Sequence, residues 1–300
     1  MAKSLKERRL AEFVDRVSEM GQFCNMLETD EKPIMVVWGE SGIGKSTFLA
    51  RMEHECAQRK LRKAEMVCKE TGSTDYMAIM RKIRDDVGVD YFKAFTDLIN
   101  FFTDPDYHPK IELNINIQGS ISILDSGKIE ESSTGDIAGI VIKDNMLITP
   151  RSDIAIPEAE RMARLTDRFI EGLRSSAVSG QVIIFFDAVE KLAPDTEKWL
   201  WGEFLDAVRD GKLSGVKFVL CGQKQPGLDR DWRFFVSEAE LQPLGLEHIE
   251  TYLSNRGIEE TMRANIAEFL YATTKGKISK IAESVDAFLL LKEKKKGANE

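Results

Sequence analysis

The sequence predicts an α/β fold: a three-layer sandwich with a parallel sheet covered by helices, an inserted β-hairpin region and a helical carboxy-terminal segment. Three observations predict it. The runs Ile34-Met-Val-Val-Trp38, Val182-Ile-Ile-Phe-Phe186 and Val216-Lys-Phe-Val-Leu220 are mostly apolar and too short for helices, so they read as buried parallel strands. Stretches with apolar residues at steps of three and four lie between them, and alternating strand and helix gives a parallel sheet with helices on both faces. From Leu246 onward there is no strand-like segment and there are three helical stretches.

Taken in order, Leu10, Phe13, Val14, Val17, Met20, Phe23 and Leu27 predict one amphipathic helix from Ser4 to about Glu28. Thr29-Asp-Glu-Lys-Pro33 breaks it, and the strand Ile34–Trp38 follows. A glycine-rich loop then opens a helix from Lys45 to about Gln58. Ala64–Lys69 reads as a second strand, and Thr74–Asp86 and Tyr91–Phe102 carry helical spacing. At Ile111 the period changes to two, through Leu113, Ile115, Ile117, Ile121 and Ile123, the pattern of a half-buried antiparallel strand. A serine-rich stretch, Asp125–Asp136, separates it from a second β-rich run, Ile137–Ile148. Pro157, with its fixed φ, suits the first turn of a long helix whose inner face is Met162, Leu165, Phe169 and Leu173. After the strand ending at Asp187 come a helix over Asp195–Asp210, the strand Val216–Leu220 and a last strand, Val236–Leu241. The expected division is an N-terminal helix (1–28), a first core part (29–104), a β-rich insertion (105–154), a second core part (155–244) and a helical lid (245–300).

With 300 residues, 43% of them hydrophobic, the chain is long enough to bury a sizeable core. A net charge of −8 gives no general electrostatic grip on nucleic acid or anionic membrane, and the one basic run, Lys292-Glu-Lys-Lys-Lys296, reads as a solvated tail. Cys24, Cys56, Cys68 and Cys221 show no CxxC spacing, so neither disulfides nor a zinc site is expected. The first residues lack the apolar core of a secretion signal and no stretch is apolar enough to span a bilayer, which predicts a cytoplasmic protein without a membrane partner.

The chemistry concentrates in Gly39-Glu-Ser-Gly-Ile-Gly-Lys-Ser46, a G-x-x-x-x-G-K-[ST] loop between a buried strand and a helix. In that setting consecutive main-chain N–H groups from Gly39, Glu40, Ser41, Gly42, Ile43 and Gly44 curl around a phosphate, aided by the helix dipole. Lys45 is expected to reach the β and γ phosphates, Ser46 to ligate Mg2+ and Thr47 to meet the α phosphate. Asp187, at the end of five apolar residues, is the expected second metal ligand. Glu190, three positions on, either polarises the attacking water or merely opens the next helix or pairs with Lys191.

These residues resemble the additional-strand (ASCE) P-loop NTPases of the AAA+ and STAND type. Phe13-Val-Asp-Arg16 is similar to the Phe-x-x-Arg box that precedes the loop in that group, Gly39–Thr47 to its GxxGxGKST version, Val182–Glu190 to its acidic strand, and Glu240-Leu-Gln-Pro-Leu-Gly-Leu-Glu247 to its link into the lid. The resemblance implies an extra strand between the loop strand and the acidic strand. It also implies ATP with Mg2+ as ligand, nucleotide contacts at Arg16 and Pro243, and Gln223 as a polar sensor of the γ phosphate. Arg230 or Arg233 falls where some relatives carry an arginine finger, the alternative being ordinary surface arginines. Thr274-Lys-Gly-Lys-Ile278 matches the G-x-P turn of the lid with Ile278 in place of proline, and Lys277 or Lys280 lies where a phosphate sensor would stand.

The function so implied is a slowly hydrolysing ATPase acting as a nucleotide-dependent conformational switch in signalling or defence. An oligomeric motor or loader acting on nucleic acid or protein, or a nucleotide-holding pseudo-ATPase, are the alternatives. No Asn-Lys-x-Asp guanine-reading motif is visible, which favours adenine. A protein partner or self-association is expected, with the 105–154 insertion as either the contacting surface or a hairpin packed on its own domain.

Overall fold

The computed structural model describes residues 7, 10–68, 75–103, 141–143, 146–148 and 156–297. The elements in chain order are α1 (Val17–Glu28), β1 (Ile34–Trp38), α2 (Lys45–Gln58), β2 (Arg62–Val67), α3 (Tyr76–Val87), α4 (Lys93–Thr103), β3 (Val141–Lys143) and β4 (Met146–Ile148). They continue with α5 (Glu158–Val178), β5 (Val182–Asp187), α6 (Pro194–Trp199), α7 (Asp206–Arg209), β6 (Val216–Gly222), β7 (Val236–Glu240), α8 (Leu246–Asn255), α9 (Glu260–Thr274) and α10 (Ile278–Gly297). The chain divides into two compact units, Met1–Ala94 with Thr166–Glu300, and Phe95–Leu165.

The first unit holds a five-stranded parallel sheet in the order β2-β5-β6-β1-β7. β6 thus lies between the loop strand β1 and the acidic strand β5, the extra strand that the resemblance implies. Register aligns the strand ends: Trp38 stands opposite Gly222, and Val67 opposite Asp187. The glycine-rich loop, Asp187 and the residues after Gly222 therefore emerge at one edge, where parallel α/β sheets place their ligands.

Side chains alternate across the strands, so each face has its own core. On one face Met35, Val37, Ile183, Phe185, Val219 and Cys221 meet Phe23, Met26 and Leu27 of α1 and Phe48, Leu49 and Met52 of α2. On the other, Phe218 meets Phe204 edge-on at 5.3 Å, and Phe204 contacts Phe169 (5.4 Å) and stacks on Trp199 (5.3 Å).

Two expected helices are interrupted. The N-terminal periodicity runs straight through residues 13–16, which are not helical; α1 starts only at Val17, and Asp15 (φ 64°) and Arg16 (φ 70°) are left-handed. That turn carries the Arg16 side chain inward, where it is 5% exposed and donates to the carbonyls of Gln242 (2.6 Å) and Ile43 (3.3 Å). The Asp195–Asp210 helix is split by a π turn, Leu200–Phe204, closed by Leu205 N–H to the Leu200 carbonyl (2.9 Å). The wider turn brings Trp199, Leu200, Phe204 and Leu205 all into the core.

After β7 the chain forms α8, α9 and α10, which close around Ile249, Tyr252, Leu253, Leu270, Ile281 and Val285. Val14 packs into this core, whereas its neighbour Phe13 packs on the sheet core and lies parallel to Phe48 at 6.4 Å. The short non-helical segment before α1 is therefore a strap with a residue in each core.

In the second unit β3 and β4 pair antiparallel, Val141 opposite Ile148, and the Arg161 guanidinium lies 5.4 Å over the Phe102 ring. The expected strand through Ile111–Ile123 and most of the 105–154 insertion lie outside the described residues. Among the described residues no helix is long and apolar enough to cross a membrane.

Candidate functional site

The loop after β1 turns on glycines that cannot be replaced without strain or clash. Gly42 (φ 79°) and Gly44 (φ 103°) are left-handed, and a Cβ on Gly42 would stand 2.2 Å from Ser279 Oγ, one on Gly44 3.1 Å from Ile278 Cγ2. The first helical bond of α2 runs from Phe48 N–H to the Gly44 carbonyl (2.9 Å), so the amides of Lys45, Ser46 and Thr47 precede it and lack a helical acceptor. The result is a cradle of amides at a helix N-terminus, suited to an anion.

A cavity of about 430 Å³ opens over this cradle, lined by Ser41, Gly42 and Gly44–Thr47 on one side and Asp187, Ala188, Glu190 and Gln223 on another. Its third wall comes from the carboxy-terminal helices, through Tyr252, Ile278, Ser279 and Ala282, together with Glu12 of the strap. Lys45 Nζ donates to the carbonyls of Gly39 (2.6 Å) and Glu40 (3.0 Å). Burial holds its ammonium below the ordinary lysine pKa, an effect partly offset by Glu190, Cys221 and Asp187.

Ser46 Oγ donates to Asp187 Oδ2 at 2.9 Å, which brings both expected metal ligands together. Just past Asp187 the backbone turns left-handed at Ala188 (φ 59°), a conformation that costs a non-glycine residue strain. This folds the chain back so that Glu190, in a short 3-10 turn, also faces the cavity. There Gln223 Nε2 donates to Glu190 Oε1 at 2.9 Å. Cys221 and Cys68 lie beside these carboxylates, but burial pushes both thiols up, Cys68 to about 12, so they stay protonated and inert.

Not every expected residue points into the cavity. Ile43 is buried in the sheet core, and its carbonyl receives Arg16. The Glu40 carboxylate turns outward to an ion pair with Lys277. Pro243 is exposed and lines neither this cavity nor the smaller one beside it, whereas its neighbour Leu244 lines the smaller one. Arg230 and Arg233 are exposed around the turn Asp231–Phe234, and they and Lys280 line neither cavity.

A smaller cavity of about 20 Å³ adjoins the first, with Phe13, Val14, Arg16, Leu244 and Ile278 among its walls. Sequence reasoning missed Glu12, Tyr252 and Ser279. Ser279 follows directly on the G-x-P-like turn and was within reach of that signal; its N–H donates to the Gly42 carbonyl at 3.1 Å. Glu12 and Tyr252 carry no motif and are brought in only by the strap and α8.

A family model described as an AAA domain matches residues 28–229. The chain belongs to the AAA-domain family. The matched range contains the glycine-rich loop, the acidic strand and Gln223, and AAA domains are P-loop NTPases. No curated protein matches this AAA domain. Among solved structures it is similar to a signal transduction ATPase with numerous domains (STAND), with a tetratricopeptide repeat sensor, from Pyrococcus horikoshii: 14% identity, TM-score 0.48, covering 89% of this chain and 28% of that one. Domain III of the replication initiation protein DnaA from Thermotoga maritima is similar at 14% identity and TM-score 0.48, over 98% of this chain and 92% of that one. Cdc6p from Pyrobaculum aerophilum follows at 15% identity and TM-score 0.43, over 85% of this chain and 55% of that one. The AAA domain thus spans little more than a quarter of the STAND protein and just over half of Cdc6p.

Proposed function

We propose that this chain binds ATP with Mg2+, hydrolyses it slowly and acts as a nucleotide-dependent conformational switch of the STAND or AAA+ kind. The observation that carries the reading is the shared cavity: loop, acidic strand, Gln223 and carboxy-terminal helices all line one space of about 430 Å³. The residues fit the ligand. The amide cradle and Lys45 suit a polyphosphate, and the paired oxygens of Ser46 and Asp187 are the hard donors that Mg2+ prefers. When bound there, the metal neutralises phosphate charge.

The chain's own groups do the rest. Lys45 exchanges its loop carbonyls for phosphate oxygens. Glu190 is the base that orients and deprotonates water, and Gln223, bonded to it, couples its position to the terminal phosphate. A ligand held between core and carboxy-terminal helices shifts a conformational equilibrium only if it binds one arrangement more tightly, and contacts from both sides supply that difference. Steady-state hydrolysis checks the roles: Glu190→Gln is expected to bind ATP as the wild type does and to lose at least about 100-fold in turnover. Equal turnover in both would remove Glu190 from the mechanism.

A second reading, an oligomeric motor or loader, is favoured by one observation, the exposure of Arg230 and Arg233 before β7. Light scattering with and without a non-hydrolysable ATP analogue separates the two. A nucleotide-induced oligomer supports the second reading, and an unchanged monomer counts against it.

A further inference from the structure

The two adjoining cavities have different linings. The larger is walled by the amide cradle, Lys45, Asp187, Glu190 and Gln223 on the loop side and by Tyr252, Ile278 and Ala282 on the other; the smaller is bordered by Phe13, Val14, Ile43, Leu244 and Ile278, with Arg16 and Glu12 beside them. A nucleoside triphosphate has the same polarity, anionic phosphates at one end and a flat base at the other, with the sugar between. Among the described residues, only Glu12, Gly44, Thr47 and Ile278 line both cavities, so they mark the junction.

Of these four, Glu12 alone carries a charged acceptor. Its Oε1 accepts from Arg256 Nη1 at 2.8 Å, and an ionised carboxylate has about four acceptor sites, so this one bond does not exhaust it. Arg256 is itself held by Asp286 and by the Tyr252 hydroxyl (3.1 Å), so the carboxylate is fixed in place and its charge is partly cancelled near a polyphosphate. A pre-oriented carboxylate with acceptor sites beyond its bond to Arg256 is the natural partner for O–H donors, and a ribose presents two on adjacent carbons.

We propose that Glu12 is a specificity residue that accepts hydrogen bonds from the ribose hydroxyls and makes the site prefer ribonucleotides to 2′-deoxyribonucleotides. The inference rests on the ATP-binding reading above. A polar site built around a hydroxyl discriminates against the analogue that lacks it, because the acceptor is left unpaired. Glu12 is half-buried and keeps some access to water, which sets the expected preference at about 10-fold.

The test is calorimetry with ATP and 2′-deoxyATP, both with magnesium, on the wild type, Glu12→Ala and Glu12→Gln. The wild type is expected to bind ATP about 10-fold more tightly, Glu12→Ala to bind both nucleotides equally and no tighter than the wild type binds 2′-deoxyATP, and Glu12→Gln to show an intermediate preference. Equal binding of the two nucleotides by the wild type, which needs no variant to fold, overturns the inference and leaves the ATP site standing. Discrimination that survives in Glu12→Ala also overturns it. Failure of the wild type to bind either nucleotide overturns the site reading itself.

Discussion

Arg16 shows how a single side chain organises this site. It sits buried between the loop carbonyl at Ile43 and the Gln242 carbonyl ahead of α8, with Glu19 and Asp15 nearby (3.7 and 4.0 Å). Burial lowers its pKa and the two carboxylates act against that shift. Its role in the structure is to tie loop to linker. Arg16→Ala removes the donor from the buried Ile43 carbonyl and the part-buried Gln242 carbonyl and is expected to destabilise the fold by on the order of 1–3 kcal/mol, measured by denaturant unfolding. Lys45 gives a second residue-level expectation. Only the ammonium form attracts polyphosphate, and burial depresses its pKa, so affinity should be constant near neutrality. It should begin to fall with rising pH earlier than the ordinary lysine value of 10.5 would dictate. Calorimetry across the alkaline range reads this, and an affinity that holds through that value would contradict it.

At the scale of elements, the turn between α9 and α10 and the start of α10 rest directly on the phosphate loop. Ser279 N–H meets the Gly42 carbonyl at 3.1 Å, and Lys277 pairs with Glu40. Lys277→Glu is expected to raise amide hydrogen exchange over residues 276–282, and the swap Glu40→Lys with Lys277→Glu to restore protection, with salt weakening both effects. No change in the single variant would show that the pair contributes nothing to docking. These contacts were only partly legible in the sequence. The buried strands and α2 were readable because Ile34–Trp38 and Val182–Phe186 are unbroken apolar runs and the loop motif demands a helix after it. The break at Asp15 and Arg16 was not, because two left-handed residues with ordinary side chains leave the three-and-four spacing intact. The π turn at Leu200–Phe204 was hidden in the same way, since one extra residue per turn still presents apolar side chains to the core.

For the first unit as a whole, sheet order follows from which strands pair. No local pattern encodes that β6 separates β1 from β5, and here it followed from the resemblance carried by the loop and acidic strand. The same limit applies to the site: Lys45, Ser46, Asp187 and Glu190 were readable from motifs, whereas Glu12 and Tyr252 reach the cavity only through tertiary folding. Packing also governs thiol reactivity. Cys56, Cys68 and Cys221 are buried with raised pKa values, and only Cys24 is partly accessible, itself raised by burial. A thiol reagent at pH 8 should therefore modify Cys24 alone, and slowly, in the native protein, and all four after denaturation. The account as a whole depends on a polyphosphate and its divalent ion being held between Lys45, Ser46 and Asp187. Isothermal titration of wild type and Lys45→Ala with ATP and magnesium tests this most directly. The account predicts saturable, magnesium-dependent binding by the wild type and at least about a 100-fold loss in the variant; heat-silent titrations of a folded wild-type protein, or equal affinity in both, would contradict it.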